Sequence, residues 1–249
     1  MITIKSAREI ETMARAGRIV FETLELMRKI TRPGLSTEDL DREAEAFIRS
    51  HAGATPSFKG LYDFPKTLCT SIDDEIVHGI PSDKRVLRDG SIVSVDVGVC
   101  IDGLHADSAT TIPVGTIKPD VQRLLDVTER CLYAGIAAAV GGNHVGDIGY
   151  AVQRVAEGAG FGVVRELVGH GIGTRFHEEP QIPNFGVPKR GPQLKPGMTL
   201  AIEPMITMGS PATKTLKDKW TVVTQDGSLS AHFEHTVLVT DGEARILTK

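Results

Sequence analysis

The sequence predicts an α+β fold. Three observations carry this: blocks of helical period alternate with blocks of strand period, serine-led capping boxes open the first two helical blocks, and a stretch of period two turns on an Asp-Gly pair. The first helix is signalled by Ser6 with Glu9 three residues on, followed by Ile10, Met13, Ala14 and Met27. Pro33-Gly34 then breaks the chain, Ser36 with Asp39 caps again, and an acidic amphipathic helix is expected to run as far as Gly53. In "SIVSVDVGVCIDGLHADSATTIPVG", Val93, Val95 and Val97 alternate with Ser94, Asp96 and Gly98, and Asp102-Gly103 marks a hairpin turn. From Lys118 the helical period returns in "DVQRLLDVTERCLYAGIAAAV" and, past a Gly-Gly break, in "VGDIGYAVQRVAEGAG". Short strands are expected around "MTLAIEPMI", "WTVVTQDG" and "EHTVLVT". The order of two helices, strands, two helices, strands suggests two similar halves, roughly 1–117 and 118–249. No linker rich in proline or serine separates them, so residues 1–249 read as one domain.

Composition narrows the class. The chain has 249 residues, 41% apolar and 24% charged, which is ordinary for a soluble globular protein. A net charge of −4 and the lack of any basic run argue against a nucleic-acid partner. Neither a signal-peptide core nor a membrane-length apolar run is present, so a cytoplasmic protein is expected. The three cysteines, Cys69, Cys100 and Cys131, are widely spaced and read as reduced thiols, not as a metal-binding set.

The acids in the strands point to chemistry. Asp96 and Asp107 lie almost equidistant from the Asp102-Gly103 turn, so they are expected to face each other with Cβ atoms about 5 Å apart. Buried carboxylates at that range repel unless a cation lies between them; an exposed polar face, which Ser94 and Ser108 partly favour, is the plainer alternative. Glu203 interrupts the apolar "MTLAIEPMI", with Pro204 behind it suggesting a bulge or an edge, and Glu234 enters another apolar strand. A lone acid in a strand is usually solvated, but four of them with histidines nearby suit borderline divalent ions such as Mn, Fe, Co or Zn. Two such ions need bridging carboxylates. In "GHGIGTRFHEEP", His170 and His177 stand seven positions apart on a glycine-rich bend that cannot be a clean helix. His78, before Gly79 and Ile80-Pro81, is expected on a loop or a strand end. His51, His105, His144 and His232 are given structural roles, and His235 is placed at most behind Glu234.

Taken together, "VHGIP", "DVGVCIDGLHADSA", "GHGIGTRFHEEP", "AIEPM" and "FEHTVLVT" resemble the type I methionine aminopeptidases, in the same order and over essentially the whole chain. The resemblance implies the pita-bread fold, two pseudo-symmetric halves with antiparallel sheet inside and helices outside. It implies two divalent ions held by Asp96, Asp107, His170, Glu203 and Glu234, with Asp107 and Glu234 bridging. The implied reaction is removal of the N-terminal methionine when the second residue is small, by a metal-bridging water or hydroxide. Glu203 would then shuttle the proton, and His177 would stabilise the oxyanion, a role worth about 3 kcal/mol. His78 would bind the scissile amide, and Phe64, Cys69, Phe176 and Trp220 would wall the methionine slot. Further implications are nascent-chain N-termini as substrates, transient ribosome contact, a monomer, and a monovalent cation near Asp73.

The stretch between His177 and Glu203 is too short for the type II helical insertion, and no N-terminal zinc-binding extension is expected, which would fit the short bacterial form. Leu61, Asp63, Asp73 and His232 depart from the common family residues, which bears on substrate fine-tuning and leaves the five ligands intact. Two other functions share the fold: cleavage of Xaa-Pro bonds, usual in chains with an added N-terminal domain, and partner binding without catalysis, expected where ligands are lost.

Overall fold

A computed structural model describes residues 2–249. Both predicted capping boxes form. Ser6 accepts from the Glu9 amide at the start of α1 (Ala7–Ile30), and Ser36 does the same with Asp39 at α2 (Thr37–Arg49). The second helix stops at Arg49, short of Gly53: Ser50 N and His51 N bond three residues back to Phe47 O and Ile48 O, which tightens the last turn, and Gly53 at φ +77° follows outside the helix. Five strands follow: β1 (Ala54–Pro56), β2 (Leu68–Ile72), β3 (Glu75–Val77), β4 (Ile92–Ile101) and β5 (Leu104–Pro113). The hairpin between β4 and β5 turns on Asp102 and Gly103, both at positive φ (+52° and +77°), as a type I′ turn requires.

The second half begins with α3 (Pro119–Ala138) and α4 (Val145–Gly158). Then come β6 (Gly162–Val163), β7 (Gly169–Gly171), β8 (Glu178–Ile182), β9 (Thr199–Ile202) and β10 (Met205–Thr207). The chain closes with β11 (Thr213–Thr215), β12 (Val222–Thr224), β13 (Ser230–His232), β14 (His235–Leu238) and β15 (Arg245–Ile246).

All strand pairs are antiparallel. The first-half sheet joins β1, β2 and β5 to the long β4, and the larger second-half sheet runs β15-β14-β9-β7-β8. Helices cover one face of each. Val93, Val95, Val97 and Val99 are fully buried against α1 and α2, whose Val20, Met27, Leu40 and Ile48 share their core. Leu124, Leu132 and Ile148 of α3 and α4 do the same for Leu200, Ile202 and Val237. Because side chains alternate along a strand, the valines that face the helices turn Ser94, Asp96 and Gly98 to the opposite face, toward the other half.

The two halves are joined along β5 and β14. Thr236 Oγ1 accepts from Asp107 N at 2.9 Å and donates to Asp107 O at 2.8 Å. Glu234 N donates to Ala109 O at 2.9 Å, and Ser108 Oγ donates to Glu234 O. This seam carries two of the expected metal ligands, one from each half.

Candidate metal centre

The strand register places the acids, and it corrects one expectation. Asp107 lies opposite Gly98 and Asp96 opposite Ala109, so the two aspartates are diagonal neighbours on one face. The two residues are therefore about 7–8 Å apart, with their Cβ atoms somewhat closer, and not directly across. Cys69 lies directly opposite Asp96 on β2, which brings a wall residue beside an acid.

The glycine-rich segment is a bend only in its second part, over 173–177. Gly169–Gly171 forms β7, held between β8 and β9. The glycines are there for close approach: a Cβ on Gly169 would lie 2.3 Å from Ala201 O, and one on Gly171 would lie 2.2 Å from Glu179 O. The chain turns only after β7 and delivers His177 just before β8. The acid that follows, Glu178, anchors this turn. It is buried and accepts from Lys5 Nζ at 2.8 Å, from Thr3 Oγ1 at 2.7 Å and from Arg175 N at 3.2 Å. Burial raises its pKa, but these bonds together outweigh burial and hold it at about 2.

"MTLAIEPMI" is two strands and not one. It splits at Glu203-Pro204, with β9 in the larger sheet and β10 paired to β6 and β13. Proline cannot donate to a ladder, so the chain changes sheets there and Glu203 is released into the space between them. Asn184 Nδ2 fixes its backbone by donating to Glu203 O at 3.0 Å.

All eleven sequence-predicted site residues line one cavity of about 140 Å³. Asp96, Asp107, His170, Glu203 and Glu234 form one wall. His78, at the end of β3 with φ +61°, and His177, exposed at the mouth, flank the opening. Phe64, Cys69 and Phe176 are buried, and half-buried Trp220 packs edge-on against Phe64 at 5.0 Å. Asp73 lies outside this lining, its carboxylate accepting from Ser91 Oγ and Ile92 N, each at 3.0 Å.

Electrostatics single out the acidic wall. Burial raises Asp96 to about 7, and it raises Asp107, Glu203 and Glu234 well above the usual carboxylate range, with mutual repulsion adding to the last three. Asp96 Oδ1, Asp107 Oδ1 and Glu234 Oε1 are buried with no hydrogen-bond partner among the described residues. Native structures rarely leave such groups orphaned. One oxygen each of Asp107 and Glu234 and a ring nitrogen of His170 lie within 4.8 Å of one another. His170 Nδ1 stands 2.8 Å from Gly171 O, so it must carry the proton, and Nε2 presents a lone pair 3.7 Å from Glu203 Oε1. Burial, then His177, hold His170 neutral, with a pKa of about 3. A neutral imidazole with four crowded carboxylates is a donor set that fits divalent cations.

Three further residues stand close to this site that were not among its expected members. Tyr62 stacks on His177 with ring centroids 5.7 Å apart and planes at 12°, its hydroxyl 3.4 Å from Nδ1. It is brought there by left-handed backbone at Tyr62 and Asp63 (φ +49° and +68°), which no periodicity reveals. Phe58 packs against Phe176 at 5.3 Å. His232, expected to be structural, is fully buried with Nε2 3.7 Å from Glu203 Oε2. Of the remaining histidines, His51 packs on Phe47, His144 caps α4 with Asp147, and His105 bonds Ser57. His235 bonds Thr248 and packs against Tyr133.

Comparisons with known proteins agree with this geometry. The sequence matches Metallopeptidase family M24 over residues 11–241. It is 51% identical to methionine aminopeptidase 1 of Bacillus subtilis over 249 residues, covering 100% of both chains. The crystal structure of a methionine aminopeptidase from Thermotoga maritima superposes with a TM-score of 0.98 at 42% identity, covering 100% of each chain. A prolidase from Pyrococcus furiosus, 22% identical over 99% of this chain and 65% of its own, has a TM-score of 0.77 and shares the fold. A full-length match, the shared pita-bread architecture and an acidic cavity suited to divalent ions converge on one assignment: the chain belongs to metallopeptidase family M24, and within it to the methionine aminopeptidases.

Proposed function

We propose that this metallopeptidase removes the N-terminal methionine from polypeptides whose second residue is small. The observation that carries the proposal is the set of orphaned carboxylate oxygens on Asp96, Asp107 and Glu234, sharing one cavity with two mouth histidines and an aromatic slot. Asp96, Asp107, His170, Glu203 and Glu234 would hold two divalent ions, drawn from Co, Mn, Fe or Zn. Bound divalent metal supplies Lewis acidity and lowers the pKa of water to near neutrality.

The chain's own groups do the rest. Glu203, which lines the cavity beside His170, would take a proton and return it to the leaving amine. His177 stands at the mouth as a neutral donor aimed at the first peptide carbonyl. His78, which burial and His177 hold neutral at about 4, binds the scissile amide from the other side. Phe64, Cys69, Phe176 and Trp220 take the methionine side chain, whose unbranched thioether suits an aromatic slot. Burial and then Asp96 hold the Cys69 thiol protonated, so it acts as wall and not as nucleophile.

The two halves, roughly 1–117 and 118–249, would act as one catalytic domain, since ligands come from both. The substrates would be nascent chains in the cytoplasm, met by a monomer in transient contact with the ribosome. No described helix is long and apolar enough to cross a membrane. A monovalent cation near Asp73 would have a structural role, outside the cavity lining.

The test is release of methionine from Met-Gly-Met-Met by metal-stripped protein titrated with each ion, beside Met-Leu peptides and a Glu203→Gln variant. Metal-dependent release that is lost in the variant and weak with Met-Leu is expected. Metal-replete protein that frees no methionine but cleaves Xaa-Pro peptides would overturn the proposal.

A further inference from the structure

We propose that His232 is a positioning residue for Glu203, offering its Nε2–H to Oε2 and so fixing which oxygen the carboxylate turns toward the metal cavity. The argument starts from an orphan. His232 is 1% exposed, and its Nε2 is buried with no hydrogen-bond partner among the described residues. It points at Glu203 Oε2 from 3.7 Å. That is a few tenths of an ångström beyond hydrogen-bond reach, a gap that a small side-chain rotation closes.

Glu203 is thereby held between two imidazoles of opposite character. On the Oε1 side, His170 donates its Nδ1–H to Gly171 O and presents the Nε2 lone pair, which is favourable only if a cation stands between it and the carboxylate. On the Oε2 side stands His232 Nε2, and a second lone pair there would repel. A neutral ring in the Nε2–H tautomer resolves this. Oε1 is then left for the metal, and Oε2 is committed to His232.

The backbone of His232 is clamped so that the ring cannot drift. The Thr111 hydroxyl donates to His232 O and accepts from His232 N, both at 2.9 Å, and takes its remaining bond from Ser94 Oγ, also at 2.9 Å. His232 also pairs with Met205, two residues past Glu203, so the pairing of β10 and β13 brings ring and carboxylate together. Partners that orient metal-binding side chains in this way typically contribute 10- to 100-fold to metal affinity or activity, as an order of magnitude.

This inference rests on Glu203 being a metal ligand, and the test separates the two. Mn²⁺ affinity by calorimetry, the visible spectrum of the Co²⁺ form and methionine release are compared in wild type, His232→Gln and His232→Leu. Leucine, which cannot donate, is expected to weaken Mn²⁺ binding by about 10- to 100-fold and to shift the Co²⁺ bands, while glutamine stays close to wild type. A leucine variant with wild-type affinity and an unchanged Co²⁺ spectrum overturns the role of His232 alone; wild-type protein that takes up no metal overturns both. Should the leucine variant not fold, the ¹⁵N–¹H spectrum of the Zn²⁺-loaded wild type decides. A proton on Nε2 of His232 is expected, and a proton on Nδ1 contradicts the proposal.

Discussion

The rings of His170 and His177, seven positions apart in sequence, meet edge to face with centroids 4.4 Å apart and planes at 72°. One ends up on the floor of the cavity and the other at its mouth, because β7 stops at Gly171 and the following turn doubles back before β8. The same segment can therefore present a ligand and a substrate-facing donor. The turn is held by Glu178, one residue beyond His177, through its buried pair with Lys5.

Lys5→Met should break that pair and leave the Glu178 carboxylate buried and uncompensated. Removing one partner of a buried ion pair costs about 3–5 kcal/mol. Urea denaturation should show a loss of that order, and kcat/KM should fall as His177 loses its anchor. Glu178→Gln combined with Lys5→Met should recover part of the stability.

Gly98→Ala should damage the methionine slot. A Cβ there would lie 2.8 Å from Phe176 Cε2 and 2.9 Å from Ser57 Cβ, so Phe176 must move. Overpacking of this kind costs about 1–3 kcal/mol. The expected kinetic signature is a raised KM for methionyl peptides, measured beside the thermal midpoint.

Tyr62→Ala should free the His177 ring and lower kcat/KM for Met-Gly-Met-Met, whereas Tyr62→Phe keeps the stack and loses only the hydroxyl 3.4 Å from Nδ1. The alanine variant should therefore be the more impaired of the two. Equal activity in all three proteins would remove Tyr62 from the site.

Much of this was legible in the sequence, for physical reasons that can be named. Period two in Val93, Val95 and Val97 set the face of Asp96, and proline after Glu203 announced the break. What was not legible depends on long-range geometry. The register that makes Asp96 and Asp107 diagonal, the sandwiching that makes Gly169–Gly171 a strand, and the left-handed backbone that swings Tyr62 over His177 leave no local pattern. His232 looked like a core histidine because only the tertiary fold brings it to Glu203.

The stability of the metal-free protein should fall above about pH 6.5. His78, His170, His232 and His235 have folded pKa values lowered, chiefly by burial, to about 4, 3, 3 and 4. Their contribution is complete above the unfolded value of about 6.5 and is lost as pH falls toward those lowered values. The four cavity acids act in the opposite sense. Their folded pKa values are raised, so stability drops as pH rises from the unfolded value near 4, through about 7 for Asp96 and beyond for the others. Between about pH 4 and 6.5 the two sets oppose each other, and above that window only the acids continue to act. Thermal midpoints from about pH 6.5 to 9 should therefore decline in chelator, and saturating Mn²⁺ should abolish the decline.

Anomalous diffraction from crystals grown with Mn²⁺ tests the central claim most directly. The account predicts two peaks inside the cavity, held by Asp96, Asp107, His170, Glu203 and Glu234. A cavity without anomalous density at saturating Mn²⁺, or peaks held by other residues, would contradict it.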